Sequence, residues 1–186
     1  ILEFNEEVQF DLMFYRSLIQ AERGQLTIVH LVDACVKFSG TRVVKSKEET
    51  ELTKAISETW VWMFGPMSVL VLDEETGMRG QHAFDWALAN RIELKFKAPN
   101  QKAWIAERGN ELIRQALHKT ESQMLKEDLR QSQFESTLAI VTFMKNALTV
   151  INKSTPYNAV LGKQHAMLPP LEEGASGQIT DQNRAG

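Results

Sequence analysis

Three carboxylates in this chain stand where a fold could bring them to one point. Asp11 interrupts an alternating apolar segment, Asp73 directly follows the apolar residues 69–72, and Glu107 opens an amphipathic segment. Two strands and a helix could therefore present three acids to a common site. Carboxylates held close together repel one another, and a bound cation relieves that repulsion. Hard oxygen ligands with no His or Cys beside them favour Mg²⁺ or Mn²⁺.

Each acid also has a simpler interpretation. Asp11 would suit the solvent-facing side of an edge strand, and Glu107 would complement the positive end of its own helix. Asp33 is an alternative first acid, because it too follows an apolar strand, although an acid in that place often serves a turn. Residue type alone leaves these alternatives open.

Composition limits the possible classes of protein. The chain has 186 residues, of which 43% are hydrophobic, which is enough for one ordinary core. We expect one domain over residues 1–165 and a polar linker or tail over 166–186, and the missing initiator Met suggests an excised piece. The net charge of −3 provides no strong positive field, so any contact with nucleic acid must be local or come from other segments.

The histidines and the single cysteine do not form a zinc motif. Cys35 has no partner for an internal disulfide, which fits a reducing compartment. His30 lies in an apolar strand and is predicted to be buried, and the other histidines share no ligand spacing with it.

Apolar periodicity predicts a mixed α/β sheet. Three strands with short links, typical of an antiparallel meander, are followed by a helix, a buried strand, a crossover helix and an edge strand. The predicted strands span residues 8–14, 26–32, 41–45, 68–72 and 92–98. The predicted helices span about 46–63, 81–90, 102–120 and 125–151.

The first helix has recognisable start and stop signals. Ser46 and Glu49 predict a capping box, and Gly65 with Pro66 ends the helical pattern. Its predicted apolar face consists of Leu52, Ile56, Trp60 and Met63. Trp62 points away from that face and is a candidate for a subunit contact.

In this order, the pieces resemble the catalytic core of a retroviral or long-terminal-repeat retrotransposon integrase, within the ribonuclease H-like polynucleotidyl transferases. The resemblance covers about Val8 to Gly162, and 33 residues, 74–106, separate the second acid from the third. The segments that carry it are 8–12, 30–39, 70–73, 98–110 and 152–162.

The resemblance implies a fold and a chemistry. The fold would be a five-stranded mixed sheet, with three antiparallel and then two parallel strands, flanked by helices. Asp11, Asp73 and Glu107 would hold two Mg²⁺ or Mn²⁺ ions. Water as nucleophile would trim a DNA 3′ end, and the resulting 3′ hydroxyl would then attack a target strand. The implied DNA-binding residues are Gln101, Lys102, Asn110 and Arg114.

The resemblance also implies partners and a location. These are the DNA ends of the element, target DNA, a second copy or a larger homo-oligomer, and flanking domains of a polyprotein, with no membrane. The expected location is the nucleus of the host cell.

Two departures from the family pattern keep other functions open. Glu74 and Glu75 add charge directly after the second acid, and residues 101–106 lack the usual loop glycine. A catalytically degenerate DNA-binding or assembly module, or another ribonuclease H-like nuclease or transposase, would fit the same pattern.

Overall fold

Strand β1 (Glu7–Arg16) is the centre of a five-stranded sheet. The computed structural model of the chain describes residues 2–73, 76–97 and 104–163. The other strands are β2 (Gln25–Asp33), β3 (Ser39–Val44), β4 (Val69–Asp73) and β5 (Glu93–Lys97), in the spatial order β3-β2-β1-β4-β5. β1, β2 and β3 pair antiparallel, whereas β4 runs parallel to both β1 and β5. The predicted mixed sheet, with β5 at an edge, is confirmed.

The α-helices of the described residues are α1 (Glu49–Ile56), α2 (Trp62–Phe64), α3 (Gln81–Ala89), α4 (Trp104–Lys126), α5 (Phe134–Leu148) and α6 (Pro156–Leu161). Thr155 caps α6, because its side chain accepts a hydrogen bond from the Asn158 amide, and Gly162 ends it with φ 68°. Within the described ranges, no helix is long and apolar enough to cross a bilayer.

Alternation along β1 divides the core between the two faces of the sheet. Phe10 lies in the cluster that also contains residues of α1 and α3, while Met13 and Tyr15 lie in the cluster formed with α4 and α5. The predicted separation of Phe10 and Leu12 from Asp11 follows the same alternation. Asp11 is therefore on the α4 side of the sheet.

The predicted capping box at the first helix is wrong. The Ser46 hydroxyl accepts a hydrogen bond from the Glu48 amide, and Glu48 occupies the N-cap without a side-chain bond. The Glu49 carboxylate instead accepts hydrogen bonds from the amides of Gly80 and Ala83, at the start of α3. A carboxylate is stabilised at the positive end of a helix, and Glu49 binds the start of α3 instead of the start of its own helix.

The predicted apolar face of the first helix is correct up to Trp60 and wrong at Met63. A π-helical segment, Ser57–Val61, joins α1 to α2 and adds backbone to the turn. Met63 is consequently 53% exposed, and Phe64 packs on Trp60 with ring centroids 5.1 Å apart. Trp62 is 70% exposed, as its position off the apolar face predicted.

The predicted boundary between the last two long helices is also wrong. α4 continues to Lys126, and the chain reverses through Asp128, whose φ is 58°. α5 then begins at Phe134 rather than near Leu125. The pattern predicted a break between these helices but placed it too early, because residues on both sides of the true break have helical periodicity and the reversal depends on one left-handed residue.

A buried carboxylate joins the far end of α4 to the end of β1. Glu121 is 0% exposed and accepts hydrogen bonds from Tyr15 Oη at 2.9 Å, Ser17 Oγ at 2.5 Å and the Leu18 amide at 2.8 Å. Burial, followed by the hydrogen bond and the negative charge of Glu121, raises the pKa of the Tyr15 phenol. Three donors compensate for the lost hydration of the carboxylate.

We expect Glu121→Ala to lower the free energy of unfolding by about 3 kcal/mol or more, because each buried donor left without an acceptor costs about 1–3 kcal/mol. Urea denaturation measures the loss. Glu111→Ala, at an exposed position of the same helix, serves as the control and should change stability by less than about 0.5 kcal/mol. Equal losses in the two variants would show that the Glu121 contacts contribute little.

Candidate active site

Asp11 lies in the middle of β1, between β2 and β4. Its cross-strand partner in β2 is His30. On the other side, β1 and β4 run parallel, with Gln9 opposite Val71. Asp11 lies two residues beyond Gln9 in β1, and Asp73 lies two residues beyond Val71 in β4. Asp73 is the last residue of β4. The parallel register thus brings the first two predicted acids to the same level of the sheet.

Each Asp11 oxygen accepts a hydrogen bond. The Leu12 amide donates to Oδ1 at 2.8 Å, and Asn110 Nδ2 donates to Oδ2 at 2.5 Å. Burial is the largest influence on the Asp11 pKa and raises it. The negative charges of Asp73 and Glu107 raise this pKa further, while the two hydrogen bonds lower it.

Glu107 lies in the first turn of α4 and is exposed. Its charge acts on Asp11, so the structure brings all three predicted acids into one electrostatic environment. They are not arranged as a closed ligand set, because no three Asp, Glu, His or Cys residues of the described ranges are close enough to hold one ion together.

The donor set nevertheless fits a hard divalent cation. Three carboxylates supply only oxygen atoms, and the negative charges of Asp73 and Glu107 add to burial in raising the pKa of Asp11. A cation would relieve that repulsion, and the exposed Glu107 is free to approach it.

The four predicted DNA-binding residues differ in their surroundings. Arg114 is exposed on α4. Asn110 is 7% exposed, and its amide group is hydrogen-bonded to Asp11 and His30. Gln101 and Lys102 lie outside the described residues, as do Glu74 and Glu75.

Asp33, the alternative first acid, serves a turn. It is 0% exposed, and its Oδ1 accepts hydrogen bonds from the amides of Cys35 at 2.9 Å and Val36 at 2.7 Å. Its Oδ2 accepts from the Asn5 amide at 2.9 Å. These bonds tie the end of β2 to the N-terminal segment and occupy both carboxylate oxygens.

His30 is buried, as predicted, but its contacts were not foreseen. Its Nδ1 lies 2.6 Å from Asn110 Oδ1, and its Nε2 lies 2.8 Å from Ser39 Oγ. Burial, followed by the positive charge of Lys145, lowers the pKa of His30 to about 3, so the ring is neutral. The available sequence signal was the position of His30 among buried apolar neighbours, where a polar ring requires partners.

Gly109 allows this contact between α4 and β2. A Cβ atom at this position would lie 2.7 Å from His30 Cε1. α4 therefore approaches the sheet closely at the residue next to Asn110.

Comparison with known proteins supports the fold. No protein-family model matches the chain, and no curated protein matches it. Among solved structures, the chain is 17% identical to the HTLV-2 integrase catalytic core domain in complex with magnesium, in its dimeric form. The TM-score is 0.70, and the match covers 84% of this chain and 96% of that one. The BIV integrase catalytic core domain gives a TM-score of 0.67 at 13% identity, with 84% and 94% of the two chains covered.

A larger assembly contains the same fold. A chain of the simian T-cell lymphotropic virus intasome, in complex with the PP2A regulatory subunit B56 gamma, matches with a TM-score of 0.73 at 17% identity. The match covers 91% of this chain and 58% of that chain, so this sequence spans little more than half of the longer one. This chain therefore has the ribonuclease H-like fold of a retroviral integrase catalytic core domain, as the sequence resemblance predicted.

We expect Gly109→Ala to destabilise the protein by about 1–3 kcal/mol, because the new methyl group would overlap His30. An ordinary helical Gly→Ala change instead stabilises by up to about 1 kcal/mol. Thermal or urea denaturation gives the sign. As a control, the same change in a His30→Ala background should lose most of its cost, and an unchanged cost would contradict the proposed clash.

We expect stability to fall in acid because His30 is buried as a neutral ring. The unfolded state binds a proton near pH 6.5, whereas folded His30 does so only near pH 3. Between these pH values, the contribution of His30 to the free energy of unfolding falls by up to about 1.4 kcal/mol for each pH unit of acidification. Urea denaturation at pH 7.0, 6.0 and 5.0 should show a weaker acid dependence in His30→Gln than in the unchanged protein, and parallel curves would contradict this assignment.

Proposed function

We propose that this chain is the catalytic core of an integrase that processes DNA 3′ ends and joins them to target DNA. The observation that carries the proposal is the position of Asp11 within an integrase-core fold, where the charges of Asp73 and Glu107 both act on it. A buried carboxylate beside two other acids is costly unless it serves a ligand.

Asp11, Asp73 and Glu107 are the proposed ligands of two Mg²⁺ or Mn²⁺ ions. When bound, such ions supply an activated oxygen nucleophile and stabilise the leaving oxygen of a phosphodiester. Two donors hold Asp11 in place: the Asn110 side chain donates to one oxygen, and the backbone amide of Leu12 donates to the other. The magnesium present in the HTLV-2 core structures supports this choice of ion.

DNA is the proposed substrate. Arg114 follows Asn110 by one helical turn and is exposed, which suits a contact to a phosphate near the acids. Gln101 and Lys102 are proposed to contribute to the same surface. The net charge of −3 means that such contacts are local, with further binding supplied by other copies or by flanking segments. The similarity to a chain of an intasome supports binding by a larger assembly, and the similarity to the dimeric HTLV-2 core supports self-association. Action on chromosomal DNA would place the protein in the host nucleus.

We expect this chain to resolve a branched DNA that mimics the joined product, in the presence of Mn²⁺, and Asp73→Asn to reduce the rate by at least about 100-fold. The reason is that the substitution removes one proposed ligand charge. Gel analysis of labelled strands measures the products. The matched control is Asp85→Asn, a change of an exposed acid on α3, which should leave the rate within about twofold.

The products and metal binding together distinguish the alternatives. Cleavage without strand joining would indicate another nuclease of this fold. Absence of both resolution and Mn²⁺ binding by calorimetry would contradict the proposal and favour a catalytically degenerate module, whose best support is the altered sequence after Asp73, with the extra acids Glu74 and Glu75.

A further inference from the structure

A buried chain of polar side chains leads from α5 to the Asp11 carboxylate. The Asn146 amide group bonds both backbone groups of Ser39, accepting from its N–H at 2.7 Å and donating to its carbonyl at 2.8 Å. Ser39 Oγ contacts His30 Nε2, His30 Nδ1 contacts Asn110 Oδ1, and Asn110 Nδ2 donates to Asp11. The four residues before Asp11 are 7% exposed or less.

The chemistry of these groups allows one direction of hydrogen bonding. An ionised Asp11 only accepts, so Asn110 must turn its NH₂ group toward it and its carbonyl oxygen toward His30. His30 must then donate from Nδ1. A neutral ring that donates from Nδ1 accepts at Nε2, and the Ser39 hydroxyl supplies that proton.

We propose that His30 is a positioning residue for Asp11, acting through Asn110, and that it prepares the carboxylate for a divalent cation. This inference rests on the proposed function, because it assumes that Asp11 is a metal ligand. Asn110 and the Leu12 amide hold one oxygen each, so the carboxylate cannot rotate. Each oxygen retains a lone pair for an ion. Groups that orient a ligand in this way raise its affinity for the metal.

The surroundings of His30 argue against a purely structural role. Its neighbours on the same face of β2, Ile28 and Val32, are apolar and at most 1% exposed, so an apolar residue would satisfy packing at this position. The imidazole instead requires two partners to offset its burial, and Gly109 leaves room for it. Glu121, at the other end of α4, is the contrasting case of a structural role: its three hydrogen bonds join α4 to the end of β1.

The test measures the dissociation constant for Mn²⁺ by calorimetry. His30→Phe keeps an aromatic ring but removes both nitrogen atoms, and it should weaken binding by about 10- to 100-fold. Ser39→Ala should weaken it less, in the same direction. Tyr15→Phe, which removes a buried hydrogen bond to Glu121, is the matched control and should leave binding within about twofold.

A second measurement determines directly which nitrogen atom of His30 carries the proton. Nitrogen-15 NMR of the metal-free protein should show a neutral His30 with its proton on Nδ1, and Asn110→Leu should abolish that preference. Unchanged Mn²⁺ binding in a folded His30→Phe, or a proton on Nε2 in the unchanged protein, would overturn the proposal. If His30→Phe does not fold, Ser39→Ala and the tautomer decide.

Failure of the proposed function would give a different result. In that case the unchanged protein and Asp11→Asn would bind Mn²⁺ equally weakly. The Nδ1 proton would then still report the orientation of Asp11, but the role in metal binding would be rejected.

Discussion

Helix α4 can touch the middle of the sheet only because residue 109 has no side chain. This close approach brings Asn110 to Asp11, and Glu107, in the first turn of the helix, remains exposed to solvent. It also buries His30 beneath the helix. A wider separation would leave the amide of Asn110 out of reach of both partners, so the geometry of the site depends on a single steric constraint.

Buried polar groups in this fold serve two different purposes. Asp33 and Glu121 each accept three hydrogen bonds, and these bonds tie the ends of β2, β1 and α4 to neighbouring segments. Asp11 has two donors and stands beside two other acids. The first arrangement offsets the cost of burial within the protein, whereas the second leaves lone pairs and negative charge that an external cation can neutralise.

The strands, and the positions of the three acids on β1, β4 and α4, were predictable from sequence because they depend on short-range periodicity and on chain order. The mixed sheet and the edge position of β5 followed in this way. Features that depend on a partner distant in sequence, or on a local irregularity of the backbone, were not predictable. Glu49 caps a distant helix, the π-helical segment turns Met63 outward, and the reversal at Asp128 comes later in the chain than the predicted break between the last two long helices. The link from His30 to Asp11 depends on a contact between β2 and α4, which single-sequence patterns do not encode.

The outer strand β5 has a consequence for how copies of this protein can meet. It is paired on one side, to β4, and its charged residues Glu93, Lys95 and Lys97 alternate with Leu94 and Phe96 along a strand of five residues. A second chain that added a strand here would have to desolvate those charges, and short charged edges are a known defence against intermolecular sheet extension. This border of the sheet therefore disfavours edge-to-edge pairing between copies, the kind of pairing from which amyloid-like stacking grows.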